Sequence, residues 1–267
     1  MGCSFNCVYC YIHGSKYGEH IPSQLTAKIN APEILYRQLK NRARKKEHGI
    51  IALGSATDPY LPQEENLKIT RELLKIIHRF HFPLNLFTKS TLIFRDLEIL
   101  KKIDNSAHLP PDLMPHLKQG VIISFSFSTV NEKIAAIFEP DAPSPWERLE
   151  TMQKFKEEGF LTGACLMPLL PFISDSEDQL DIMIKSVKEY GGDFVIPGAL
   201  TLFGDKPHDC RVRYYEVLEE YFPELIPKTR SIFKSKSYPS SKYQIKIYNM
   251  VADISKKHRI RNKIISE

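Results

Sequence analysis

The segment Gly2-Cys3-Ser4-Phe5-Asn6-Cys7-Val8-Tyr9-Cys10-Tyr11 sets three cysteines in the spacing Cys-x-x-x-Cys-x-x-Cys. Three thiolates so close together can wrap one face of an iron–sulfur cluster, because such clusters are held by cysteine thiolates at short fixed spacings. Three ligands on a four-iron cluster leave one iron with an open position, the usual mark of a metal that does chemistry. His13 and His20 lie nearby, so a zinc site of three cysteines and one histidine is the competing arrangement. The triplet is not a usual zinc spacing. A disulfide framework fits poorly, since the chain has five cysteines, an odd number, and no secretory signal before them. N-myristoylation of Gly2 would call for Ser or Thr at position 6, where the chain has Asn6.

A length of 267 residues is enough for one large α/β domain or two small ones. The hydrophobic and charged fractions, 42% and 26%, are those of an ordinary globular chain. No apolar stretch is long enough for a membrane span, and reduced cysteines without a targeting segment point to the cytoplasm. The net charge of +5 is unevenly spread: residues 228–267 carry eleven Lys/Arg against Asp253 and Glu267, a local +9, which leaves −4 for residues 1–227. A basic 228–263 region on a mildly acidic body suits a polyanion such as nucleic acid, although a solvated helix surface would look the same.

Short apolar runs alternate with helical periodicity. Strands are predicted at Ile50–Leu53, Leu84–Thr88, Val121–Phe127, Phe160–Met167 and Asp193–Pro197. Helices are predicted over 66–80 with Asn66 as cap, 95–103, 145–158 with Pro145 in the first turn, 175–190, 209–220 and 241–257. Residues 104–119 and 221–240 read as loops rich in Pro and charge. In the third strand Ser124 and Ser126 share one face, Phe125 and Phe127 the other. Repeated β-then-α units imply a parallel sheet with crossover helices. The expected organisation is a core over 1–205 and a helical, basic C-terminal extension over 206–267.

The motifs in order are the cysteine segment, Thr57-Asp58-Pro59-Tyr60-x-Pro62-x-Glu64, Thr88-Lys89-Ser90, Arg95-Asp96-Leu97, Glu139-Pro140-x-Ala142-Pro143-Ser144-Pro145 with Arg148, and Pro168-x-x-Pro171 with Asp175. Together they resemble the radical S-adenosylmethionine (SAM) proteins related to spore photoproduct lyase, over Gly2 to about Asp181. The resemblance implies a partial (β/α)6 TIM-type barrel with one strand before the cysteine loop. That first strand is missing here, and a start codon placed too late is the expected cause. A true truncation or a substitute segment are the alternatives, and an unpaired sheet edge would carry an aggregation risk.

The resemblance also implies roles. Cys3, Cys7 and Cys10 would ligate a [4Fe-4S] cluster, SAM would bind its open iron, and one electron would cleave SAM to methionine and a 5′-deoxyadenosyl radical. A reductant such as flavodoxin or ferredoxin would supply the electron. Lys89, at the carboxyl end of a strand, becomes a candidate for the SAM carboxylate. Asp58 is a candidate for the SAM ammonium or a cap for the turn at Pro59. Ser124 and Ser126 could meet SAM polar groups or bond backbone and water, Tyr9 would pack near the adenine, and Pro168 to Pro171 would shape the adenine pocket. Spore photoproduct lyase carries a hydrogen-donating cysteine in the loop after the second strand. Here that loop reads Gly54-Ser55-Ala56-Thr57-Asp58, so repair of spore photoproduct is not expected. Cys165 on a later strand is the remaining catalytic candidate, although a cysteine there is more often a small core hydrophobe. The reading is thus a radical SAM enzyme on an unknown substrate, with nucleic acid as first guess. The rival is a degenerate iron–sulfur protein that turns over no SAM.

Overall fold

The computed structural model describes residues 2–18 and 25–265. His20, one of the two zinc-ligand alternatives, lies outside the described residues. In chain order the elements are α1 (Ala31–Arg44), β1 (Ile51–Leu53), α2 (Glu64–Leu67), α3 (Ile69–Arg79), β2 (Leu84–Thr88), α4 (Leu97–Ser106), β3 (Val121–Ser126), α5 (Glu132–Phe138), α6 (Pro145–Glu157), β4 (Leu161–Leu169), α7 (Glu177–Glu189), β5 (Phe194–Ala199), α8 (Cys210–Tyr221), α9 (Ile226–Phe233) and α10 (Ser241–Lys257). The five strands form one parallel sheet in the order β1-β2-β3-β4-β5. Sequential order with crossovers of one hand carries the connecting helices to one face, the arrangement of an open partial barrel.

Strand parity builds the two faces. Leu84 and Leu86 of β2, with Val121, Ile123 and Phe125 of β3, are buried in one core with Leu74 and Ile77 of α3 and Leu100 and Ile103 of α4. The opposite parity places Phe87, Ser124 and Gly163 side by side in register, and Ser126 beside Cys165. At the amino ends of the strands this inner face is plugged by an apolar cluster of Ile122, Leu161 and Phe194. One layer higher the Ser124 hydroxyl donates to Asn85 Oδ1 at 3.0 Å. Gly163 leaves room there: a Cβ would sit 2.4 Å from the Phe194 carbonyl oxygen.

Several elements differ from the sequence expectation. Asn66 does not cap a helix; it lies inside α2, and Lys68 in the left-handed region separates α2 from α3. The stretch 221–240 is not a loop, since a 3-10 turn at Pro223–Leu225 leads into α9. Prolines sit in the first turns of both, where no N–H is needed. Helix α4 likewise runs to Ser106, into the stretch read as a loop. α1 and α5 went unpredicted; Pro32 opens the first, and Asn131 caps the second by accepting from the Lys133 and Ile134 amides.

The 206–267 segment packs closely on the rest. Ile247, Val251 and Ile254 of α10 join the core beneath the sheet, and Lys257 and His258 bond Asp181 of α7 at 2.7 and 2.8 Å. Tyr214, Leu218 and Phe233 of α8 and α9 share a second core with Phe5, Val8 and Tyr9 of the cysteine loop. Among the described residues no helix is long and apolar enough to cross a membrane.

Candidate active site

The cysteine loop lies against the carboxyl ends of the strands. Cys3, Cys7 and Cys10 all line one cavity of about 430 Å³, whose wall also carries the Gly54–Asp58 loop, Lys89, Ser126, Cys165 and Pro168. Cys7 is buried and the other two thiols half-buried. Burial pushes the Cys7 thiol up to about 12, with Lys89 acting the other way. Burial also raises Cys3 and Cys10. Among the described residues no three His, Cys, Asp or Glu side chains converge on a single metal ion; three thiols lining one cavity suit a cluster instead, in which each thiolate ligates a different iron. His13 does not line this cavity; its imidazole, lowered by burial, sits in the field of Arg213 and Asp209.

Beside the Cys3 thiol, which its backbone bonds, Asp58 organises the ends of β1 and β2. Its Oδ1 accepts from the Tyr60 amide at 2.9 Å and from Thr88 Oγ1 at 2.8 Å, and its Oδ2 accepts from the Lys89 amide at 2.7 Å. Burial raises its carboxyl, and these bonds work against the rise. The turn at Pro59 is thus closed by Asp58, as one of the two sequence alternatives has it. Gly54 makes the close approach to β2 with φ +96°; a Cβ there would fall 2.1 Å from the Phe87 carbonyl oxygen.

Lys89 points into the cavity. Its Nζ donates to Ser126 Oγ at 3.0 Å and stands 5.7 Å from the centre of the Tyr9 ring. Ser126 Oγ in turn donates to the Met167 carbonyl at 3.0 Å. The structure thus gathers Tyr9, Asp58, Lys89, Ser126 and Cys165 around one space with the three cysteines. Ser124 is set apart: it is fully buried, bonded to Asn85, and absent from the cavity wall. Parity put both serines on the inner face, and depth along the strand separates them. Burial pushes the Cys165 thiol up to about 11.

A charged cluster beneath the loop had no assigned role in the sequence reading. The Tyr9 hydroxyl donates to Glu139 Oε1, Ser128 Oγ donates to the same oxygen at 2.8 Å, and Arg148 pairs with Oε2. Arg148 also donates to the Pro143 and Ser126 carbonyls at 2.8 and 2.9 Å. Burial alone would raise the Glu139 carboxyl; Arg148, Lys89 and the two hydroxyls overcome it and hold it near 2. A sequence signal existed: Arg148 shares the buried α6 stripe of Pro145, Met152 and Phe155, and a cation on a core stripe requires a buried partner.

Beyond β5, a groove is lined by Arg211 and Tyr215 of α8 and by Arg230, Lys234 and Lys236, with Glu216 and Glu219 at its side. It adjoins the cavity along the chain, since Leu200 and Thr201 line the cavity and Leu202 lines the groove. Arg211 pairs with Asp205 at 3.1 Å and Arg230 stands over the Tyr215 ring; away from the groove, Lys257 pairs with Asp181 and Lys256 with Asp253.

The family model described as the radical SAM superfamily matches residues 1–182. An uncharacterized protein of Acidianus two-tailed virus is 28% identical over 233 residues, covering 82% of this chain and 69% of that protein. An uncharacterized protein of Mycobacterium tuberculosis is 24% identical over 265 residues, covering 97% of this chain and 73% of its own. Among solved structures, a mutant spore photoproduct lyase with bound AdoMet and dinucleoside spore photoproduct aligns with a TM-score of 0.62. That alignment covers 97% of this chain and 72% of the lyase at 14% identity, a likeness of fold.

Proposed function

Because the chain belongs to the radical SAM superfamily, we propose that it is an enzyme that cleaves SAM reductively, with a [4Fe-4S] cluster on Cys3, Cys7 and Cys10. A reduced cluster held by Cys3, Cys7 and Cys10 would supply one electron for cleaving a carbon–sulfur bond of SAM. The observation that carries this reading is that all three thiols and the Lys89 side chain line the same cavity.

The chain's own groups bind, orient and exclude water. Lys89, steered by Ser126, offers the SAM carboxylate a cation in a partly desolvated place, where a charge-assisted bond is strong. Asp58 has one lone pair of Oδ2 left for the SAM ammonium beyond its three bonds, and those bonds keep it in place. Tyr9 offers a ring face to the adenine side. Ser124 supports the floor through Asn85 rather than touching SAM. The Cys165 thiol lines the cavity beside Ser126 and would be the hydrogen-atom source for a substrate radical.

The substrate reading follows from charge. Beside Glu216 and Glu219, the groove cations Arg230, Lys234 and Lys236 suit a phosphate backbone, with the Arg230 guanidinium lying over the Tyr215 ring. Nucleic acid is therefore the proposed substrate class. Anaerobic loading with iron and sulfide tests the metal site: iron and sulfide should bind to the wild type and be lost with Cys7→Ala. Loading that ignores the substitution, or a single zinc in its place, would overturn it. Affinity for single-stranded DNA or RNA should fall steeply with salt, and less steeply after Arg230→Ala with Lys234→Ala. No binding, or a slope unchanged by those substitutions, would remove nucleic acid from the account.

A further inference from the structure

The cysteine loop has few backbone bonds of its own and is tied to the body at several points, among them Ser4 to Gln63, Tyr11 to the Ser55 carbonyl and Arg213 to the Asn6 carbonyl. Between Cys3 and His13 its internal backbone bonds are Cys10 N–H to the Cys7 carbonyl and His13 N–H to the Cys10 carbonyl. Asn6 stands in the left-handed region at φ +50°, a conformation that most residues avoid. Ties from outside the loop must therefore set the directions of the three thiols.

One short segment, far away in sequence, supplies a row of such ties. Val8 N–H donates to the Phe138 carbonyl at 2.9 Å, the Tyr9 hydroxyl donates to Glu139, and Asn6 Nδ2 donates to Asp141 Oδ2 at 2.7 Å. The bonded loop residues bracket Cys7 and precede Cys10. The segment is itself held rigidly. Phe138 is buried against Tyr214 and Phe222, and Glu139 is locked by Ser128 beyond β3 and Arg148 of α6.

We propose that Glu139 is the positioning residue of the cysteine loop, and that Phe138–Asp141 is a cradle that presets its thiols before any metal arrives. The proposal rests on the reading of this loop as the ligating element, but its physical content concerns the metal-free protein. A carboxylate suits the task because its two oxygens accept from three donors together. An amide there would turn an N–H toward either Arg148 or the hydroxyls. Glu139 also joins the loop to the Lys89 side of the cavity: Arg148 bonds both Glu139 and the carbonyl of Ser126, whose hydroxyl holds Lys89.

Amide hydrogen exchange on the metal-free full chain tests this, since it needs neither cluster nor SAM. Tyr9→Phe and Asp141→Ala each remove one tie and leave the Glu139–Arg148 pair in place. Each should speed exchange in residues 4–12 by about five- to tenfold, the loss expected for one hydrogen bond. Peptides from β2 and β3 should be unchanged. Glu139→Gln should accelerate the loop more than either, and Glu139→Asp should restore part of the protection. Loop exchange unaltered by Tyr9→Phe and Asp141→Ala would overturn the cradle. So would acceleration spread evenly over the sheet, the signature of a general stabiliser. If Glu139→Gln fails to fold, the two single-tie variants decide alone. A cradle that holds while iron fails to bind would leave this inference standing and sink the proposed cofactor.

Discussion

Replacing Arg148 with Met removes a guanidinium whose side chain is fully buried, from a pair whose other member is fully buried too. Met fills much of the volume, so the loss is electrostatic rather than a cavity. Glu139 would keep its hydroxyl donors but face an apolar interior without a counter-ion, and the carbonyls of Pro143 and Ser126 would lose a donor each. Breaking a buried pair from one side costs about 3–5 kcal/mol. With a urea slope of about 3 kcal/mol/M for a chain of this size, the unfolding midpoint should drop by roughly 1–1.7 M. Trp146, the chain's single tryptophan, lies on α6 two residues away and reports the transition by fluorescence in metal-free protein. The double variant Glu139→Gln with Arg148→Met has no stranded charge, and should recover about 2 kcal/mol relative to the sum of the single losses. A midpoint untouched by Arg148→Met, or single effects that simply add in the double variant, would refute the reasoning.

The same carboxylate predicts an acid limb. Its folded value near 2 lies below the ordinary 4.5, so its contribution is complete above about pH 4.5 and is lost as pH falls toward 2. Urea midpoints followed over that range should decline in the wild type and flatten in Glu139→Gln; parallel curves would count against the depressed value. Lys89→Met should weaken SAM binding by about 10- to 100-fold, the worth of one charge-assisted bond, and leave the urea midpoint nearly unmoved. Equilibrium dialysis with the loaded protein measures it, and unchanged affinity removes Lys89 from the SAM site. Gly54→Ala forces a Cβ against the Phe87 carbonyl at φ +96° and should lower Tm by roughly 4–8 °C for a cost of about 2 kcal/mol. An unshifted Tm would show that this loop does not need glycine.

Local signals made much of this molecule legible. The strand β2 emerges with the predicted ends because Leu84 and Leu86 alternate with Asn85 and Phe87, and α10 does so because its apolar period is unbroken. The three cysteines declare themselves through spacing alone. Pro223 and Pro227 misled, since proline punctuates loops and also opens helices, and only the tertiary setting decides between the two. The fate of Ser124 depended on depth: parity turned it inward with Ser126, but the apolar plug and Asn85 close the floor below the cavity. Glu139 and Arg148 stood in a quoted motif without a role. The pair itself is local, nine residues apart, but its link to the cysteine loop through Tyr9 spans 130 residues and no local pattern shows it.

The central claim is reductive cleavage of SAM at a cluster on the Cys3–Cys10 loop. The decisive measurement is 5′-deoxyadenosine formation by the anaerobically loaded protein with SAM and a strong reductant. Product should form with the wild type and not with Cys3→Ala, Cys7→Ala or Cys10→Ala. A loaded cluster that yields no 5′-deoxyadenosine, even with nucleic acid present, would contradict it and leave an iron–sulfur protein that does not turn over SAM.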